Sequence, residues 1–515
     1  MIPFTVDDPV ETNVHLRSMR LINVKAFLKR KRSIREGKRV DRHTIVLEFG
    51  DEEATEYAIP SHQWVGGEVD YDEIVELTKM DREDREEIHQ CDGYRKILDT
   101  CKQAQKDGYE WLWVNTCCID KQSSAELSEA INSMYWWYEN VGVCYAYLHD
   151  VPDPLFPTAS DEERYPKFNG WPEWFSRGWM LQELIAPSDV QFFNKNWQNI
   201  GDKRMLAPAL ENITGIPQHI LTHGLCGNRP CVAQIMSWAA NHTMTRVEDR
   251  AYSLMGLLEV NMPMLYGEGK KVFHCLQLEI IRASNDQSIF AWSCTNDKWT
   301  GNILADDPSF FKRCGRMELM GHDEYIEYLK EDLTKEELEL IEDHLGTFPI
   351  TNCGIHVWLP LQSFHGSRSH FTALLPCRFH PSEPPETISL VFSESNYYRD
   401  PGPSLWFIRD SLTVGPPFPP PPQWQLCQVY LRYQDPPCRN TTFKIEDSAL
   451  FENGFNYCST YPKEFAGDML MLTSINSLAI KVYYDNQTST FTLLGLGQSL
   501  GKDWIHVISD ESNLS

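Results

Sequence analysis

Trp179 and Glu183 stand one helical turn apart in the segment Ser176-Arg177-Gly178-Trp179-Met180-Leu181-Gln182-Glu183-Leu184. Ser176 is a suitable N-cap and Pro187 closes the far end, so the spacing predicts a short helix with the indole and the carboxylate on one face. These residue types support two chemistries. Glu183 can be a catalytic carboxylate beside a ring that stacks on a flat substrate, or it can pair with Arg177 while Trp179 anchors a core. Both readings stand on the residues alone.

The elements that must position Glu183 follow from the apolar pattern. Residues 57–60 read as a strand running into Ser61, His62, Gln63 and Trp64, and a helix is expected around 94–106. Residues 111–119 form a near-continuous apolar run, as expected of a central strand buried on both faces. Ser123-x-x-Glu126 reads as a capping box opening an amphipathic helix, and 143–148 and 190–193 read as further strands. Strands alternating with helices predict a parallel α/β sheet. Ligands of such sheets bind outside the carboxyl ends of the strands. His62, Trp64, Asn115 and Asp120 all fall there, so with Glu183 they are expected to line one pocket. A Cys117–His62 nucleophile pair has no supporting local motif.

Further along, 231–284 reads as helical with Thr245-x-x-Glu248 as a second capping box, and Arg246, Glu248, Asp249 and Arg250 as an ion-pair network at a helix start. Residues 288–292 read as a strand and 317–345 as an acidic, helical, solvated connector. Short β-rich runs separated by Pro and Gly from 355 onward predict a sandwich or barrel. Pro416 to Pro422 reads as an exposed polyproline stretch. The run Lys29-Arg30-Lys31-Arg32, extended to Arg42, lies between two apolar runs and reads as a solvated hairpin loop after a loose extension at 1–18.

Composition narrows the classes. The chain has 515 residues, too long for a single core, with 42% hydrophobic and 12% aromatic residues, a globular balance. A formal net charge of -26 argues against general nucleic-acid binding, which needs a basic footprint. Fifteen cysteines without a CxxC spacing read as reduced core thiols, not as zinc ligands or disulfides. No apolar run is long enough to cross a membrane, and residues 1–11 carry no secretory signal, so a cytoplasmic location is expected.

Three segments together carry a family resemblance. They are Tyr57-Ala58-Ile59-Pro60-Ser61-His62-Gln63-Trp64, Trp111-Leu112-Trp113-Val114-Asn115-Thr116-Cys117-Cys118-Ile119-Asp120-Lys121, and the Ser176–Leu184 segment quoted above. In that order, over roughly 57–205, the chain resembles the fungal HET (heterokaryon incompatibility) domain proteins. Arg246-Val247-Glu248-Asp249-Arg250 and Met262-Pro263-Met264-Leu265-Tyr266-Gly267-Glu268-Gly269 resemble what commonly follows that domain. Asn115 stands where the family usually has Asp, and Pro60 where an aliphatic residue is common. The nucleotide-binding module of many members has no counterpart, because no GxxxxGK[ST] is present.

The residue pattern and the resemblance together imply an organisation of 1–56 as an N-terminal extension and β-hairpin, 57–205 as the HET domain, 206–316 as a helical segment, 317–345 as an acidic connector and 346–515 as a β-rich C-terminal domain. HET domains are in turn similar to TIR (Toll/interleukin-receptor) domains. The implied fold class is therefore α/β, a TIR-like (flavodoxin-like) parallel sheet with flanking helices. Plant-type TIR domains carry their catalytic Glu in the same Trp-x-x-x-Glu spacing. The resemblance thus implies Glu183 as an NAD-cleaving carboxylate, with His62, Trp64, Asn115, Asp120 and Trp179 as substrate-binding residues. NAD would be a substrate, and no cofactor or metal is implied. The implied role is an incompatibility-type effector of self/non-self recognition and cell death. The alternative is a non-catalytic module acting through self-association of the HET domain or through an unidentified protein partner.

Overall fold

A computed structural model describes residues 18–36, 47–51, 55–64, 66–77, 87–225, 227, 229–293, 302–344, 346, 348–363, 370–393, 396–399, 423–434, 441–444, 448–461, 469–472, 477–485, 490–499 and 502–510. Residues 1–17 of the extension expected at 1–18, the basic residues 37–42 and the polyproline stretch lie outside them. The chain forms two compact units, Met1–Pro230 with Asn241–Val272, and Cys231–Ala240 with Phe273–Ser515. Among the described residues no helix is long and apolar enough to cross a membrane.

The first unit is built on a seven-stranded sheet. Its strands are β1 (Ser18–Asn23), β2 (Leu47–Asp51), β3 (Tyr57–His62), β4 (Trp111–Leu112), β5 (Val143–Tyr147), β6 (Val190–Phe193) and β7 (Asn199–Asp202), in the order β2-β1-β4-β3-β5-β6-β7. β4, β3, β5 and β6 run parallel, and β1, β2 and β7 extend the sheet antiparallel. Counted among themselves, the parallel strands have the order second, first, third, fourth, which is flavodoxin-like. The crossovers carry α2 (Tyr71–Glu76), α3 (Asp92–Asp107), α4 (Ser124–Glu139) and α5 (Met180–Ile185). Every residue of β3 is buried, as a strand covered on both faces requires.

The long apolar run is mostly not a strand. Only Trp111 and Leu112 enter the ladder, in the interior of the sheet. Beyond them the chain turns, with Cys118 N–H donating to the Val114 carbonyl at 2.8 Å. Residues 112–114 and 116–119 stay buried, Trp113 against Trp137 at 5.2 Å between ring centroids. An unbroken apolar run reports burial on all sides and does not tell an extended chain from a buried turn.

The basic run is also not a loop where it is described. Val24–Arg35 forms α1, with Phe27 and Arg30 buried, between the antiparallel strands β1 and β2. Ser123 caps α4 by accepting from Glu126 N, but the capping box does not close. The Glu126 carboxylate instead accepts from Asp120 N at 2.9 Å and pairs with Arg20.

In the second unit, the segment expected as a strand at 288–292 holds a 3-10 turn, Gln287–Phe290. Asp286 nucleates it by accepting from Ser288 N at 2.8 Å and from Val232 N at 2.6 Å. The acidic segment is helical over His322–Leu329 and Lys335–His344, and it buries one face through Tyr325, Leu329, Leu333 and Ile341. The remainder is β-rich. His370–Leu374, Thr387–Ser393, Asn396–Arg399, Gln425–Leu431 and Gly354–Ser363 pair in sequence around a ring, which Gly354–Ser363 closes by pairing back to His370–Leu374. Phe455–Tyr461, Ser477–Asp485, Thr490–Ser499 and Lys502–Asp510 form a further antiparallel sheet.

Candidate functional site

Glu183 lies on α5, where all six residues are buried. Ser176 does not cap this helix. It ends a 3-10 turn, Glu173–Ser176, and its hydroxyl donates to the Glu173 carbonyl at 2.7 Å. This preceding turn aims two side chains at Glu183. Arg177 forks onto the carboxylate, Nη1 to Oε2 at 2.8 Å and Nη2 to Oε1 at 3.1 Å. Trp174 Nε1 donates to Ser61 Oγ at 2.8 Å, and Ser61 donates to Glu183 Oε2 at 2.5 Å. The carboxylate thus accepts three hydrogen bonds at 1% exposure. A buried charge is tolerable only when paired and hydrogen-bonded in this way. Burial first, and then the facing carboxylate of Glu183, push the Tyr138 phenol well up.

Ser61 and His62 are neighbours on β3, so their side chains leave toward opposite faces. His62, 4% exposed, meets Glu68 at 3.3 Å through Nε2. Lys96 on α3 donates to Glu68 Oε1 at 2.5 Å and to the Gln63 carbonyl at 3.0 Å. Burial holds the imidazole below its ordinary range. Glu68 opposes this, while Lys96 and Arg177 add to it. Burial alone would lift the Glu68 carboxyl, but His62 and Lys96 outweigh it and hold it down. His62 is therefore a neutral imidazole whose Nδ1 has no hydrogen-bond partner in the protein.

The remaining sequence candidates sit as follows. Trp64 is exposed, with the Lys121 ammonium 4.1 Å from its ring centroid, a cation–π contact. Asp120 accepts from Gln122 N at 2.9 Å and shapes the turn into α4. Asn115 is half-buried in the turn after β4, and its Oδ1 is unpartnered. Trp179 is half-buried beside Asp249, which accepts from Tyr266 at 3.1 Å. The six candidates thus divide between the Glu183 cluster, the strand-end side of His62, Trp64 and the 115–121 turn, and the Asp249 cluster that holds Trp179. Cys117 is fully buried, and its contact with Cys118, then burial, push its thiol well up, so it offers His62 no thiolate.

The second capping box resolves similarly. Glu248 does not fold back on its own helix, Asp249–Tyr252. It accepts from Gly267 N at 2.9 Å and Gly269 N at 3.2 Å, and these bonds, that from Gly267 foremost, hold its carboxyl down.

Residue-by-residue reading missed Ser61, Glu68, Lys96, Gln63, His149, Asp150, Trp174 and Glu173. For Gln63, His149 and Asp150 a signal existed. They directly follow the first and third parallel strands, which part at the switch point of this strand order.

Over 215 residues, 42% of its length, the chain is 41% identical to the vegetative incompatibility protein HET-E-1 of Podospora anserina, and the match spans 15% of that protein. No family model and no solved structure matches the chain.

Proposed function

We propose that this chain is a fungal incompatibility-type effector, and that its first unit triggers cell death by cleaving NAD with Glu183. The identity to a vegetative incompatibility protein carries the role. For the chemistry, the supporting observation is a carboxylate held beside the carboxyl end of the first parallel strand through Ser61. Nicotinamide is a cationic leaving group on the ribose and departs neutral without a general acid. The charge develops on the sugar, where a carboxylate stabilises it until water adds to the anomeric carbon and gives its proton to solvent, leaving ADP-ribose, as in glycoside cleavage.

As folded here, Arg177 quenches that charge, so this is the latent form. Activity requires the guanidinium fork to open, driven by self-association or by a partner, while Ser61 keeps the carboxylate in place. A second reading is favoured by the same geometry. A carboxylate that is sealed and fully hydrogen-bonded is a structural anchor, and the unit would then kill by recruiting a partner.

The test is concentrated purified chain incubated with NAD and assayed for free nicotinamide, beside NAD content and viability of expressing cells. Glu183→Gln keeps shape and removes charge. It should lower nicotinamide release about 10²–10³-fold, the loss typical of one electrostatic stabiliser, in protein that is still folded, with the lower melting temperature left by an unpaired Arg177 read separately. Soluble Glu183→Gln protein that still kills, with cellular NAD intact, selects the recruitment reading.

A further inference from the structure

We propose that the carboxyl ends of β3 and β5 form a binding site for a vicinal diol, the ribosyl part of a nucleotide, made by Gln63, His149 and Asp150. This rests on the NAD reading above and assigns the part of the substrate that the rim would hold. β3 and β5 are parallel neighbours with His62 opposite Tyr147. The chain leaves β3 toward β4 on one side and β5 toward β6 on the other, so this gap is the topological switch point.

Glu173 ties the residues beyond the two strands into one cluster. Its carboxylate faces the Gln63 side chain and lies 3.7 Å from His149 Nε2, and its backbone N–H donates to Asp150 Oδ2 at 2.8 Å. Burial alone would lift the Glu173 carboxyl, but Lys167, Gln63 and His149 outweigh it and keep it ionised. Around Glu173, three neighbours each keep one buried atom without a protein partner: Gln63 Oε1, His149 Nδ1 and Asp150 Oδ1. His62 Nδ1, on the residue that ends β3, is a fourth. An unsatisfied buried polar atom costs about 1–3 kcal/mol, so several along one rim call for a ligand or ordered water.

The free atoms set the chemistry. A carboxamide oxygen and a carboxylate oxygen only accept, and a neutral imidazole whose Nε2 faces a carboxylate accepts at Nδ1, so the ligand must donate. Two adjacent hydroxyls meet that pattern, each donating to one of these acceptors. A cation fits less well, because among the described residues no group of three or more His, Cys, Asp or Glu side chains is placed to hold a metal.

The experiment is calorimetric titration of the full chain with ADP-ribose, and with ADP-ribose whose diols have been opened by periodate and reduced with borohydride. ADP-ribose should bind, and the opened form at least tenfold more weakly. Asp150→Asn keeps the acceptor for Glu173 N and turns the free oxygen into a donor. It and Gln63→Met should each weaken ADP-ribose about tenfold at unchanged melting temperature. Equal binding of the two forms, no ADP-ribose binding by folded wild-type protein, or variants that bind like wild type would each overturn the site and leave the rim to water. Diol-dependent binding without nicotinamide release would keep the site and remove NAD cleavage. Nicotinamide release with a KM indifferent to Asp150→Asn would do the reverse.

Discussion

The two sides of the β3 terminus make opposite use of polar groups. On the Ser61 side every oxygen of Glu183 is occupied, by Arg177 twice and by Ser61 once. On the rim beyond His62, the buried polar atoms of Gln63, His149 and Asp150 each keep one position empty. The first arrangement stabilises a fixed geometry. The second leaves desolvated groups waiting for a partner, which stabilises nothing until that partner arrives. One residue step along a strand separates a locked side from a receptive one, and the segment from Glu173 to Arg177 touches both.

The largest expected effect comes from breaking the locked side. Arg177→Met strands a buried carboxylate and should cost about 3–5 kcal/mol in urea unfolding, whereas Arg177→Met with Glu183→Leu should recover most of that loss. A double variant no more stable than the single would show that the pair is not what locks this side.

Acid should reveal the next contrast. His242 is 7% exposed and stacks on Phe168, and burial pushes its imidazole down to about 4. The unfolded chain takes up that proton near 6.5, so this group's contribution to stability is complete above about pH 6.5. It is lost as pH falls toward 4, by up to about 3 kcal/mol. His62 acts in the same direction. Unfolding curves of His242→Asn should lose most of this acid slope, and the slope that remains and vanishes in His62→Gln belongs to the receptive side. An unchanged slope in both variants would place the acid sensitivity elsewhere.

A smaller effect sharpens the comparison from the backbone. A Cβ on Gly93 would lie 2.7 Å from Glu68 Cα and 2.8 Å from the Gly67 carbonyl oxygen, so Gly93→Ala must move the segment that holds His62. It should cost about 1–3 kcal/mol, as overpacking does, and weaken ADP-ribose binding while the Arg177–Glu183 pair persists. The smallest effect is expected for Gln63→Met, within about 1 kcal/mol, because the lost polar contact with Glu173 is offset by the removal of an unsatisfied oxygen. A loss as large as that of Arg177→Met would mean that this rim is as structural as its neighbour.

Periodicity and turn chemistry in the sequence determined parallel strands at 57–60, 143–148 and 190–193, which fold as 57–62, 143–147 and 190–193, together with the 3.6-residue repeat of α4 and its Ser123 cap. Alternating elements and local side-chain bonds need no distant partner to be legible. The same logic placed His62 and Trp64 at the end of the first parallel strand but passed over Gln63, His149 and Asp150, although residues after the first and third parallel strands fall at the switch point whatever packs around them. What the sequence left open were choices among competing partners. Trp179 could stack on a ligand or anchor a core, and Glu183 could be a free acid or Arg177's counter-ion. Each candidate partner was equally plausible in chain order, and only three-dimensional placement ranked them. The run from 111 to 119 shows the same limit. Its apolar character required burial, and whether buried residues extend or turn was decided by the elements that close around them, Trp137 and Tyr138 of α4 among them.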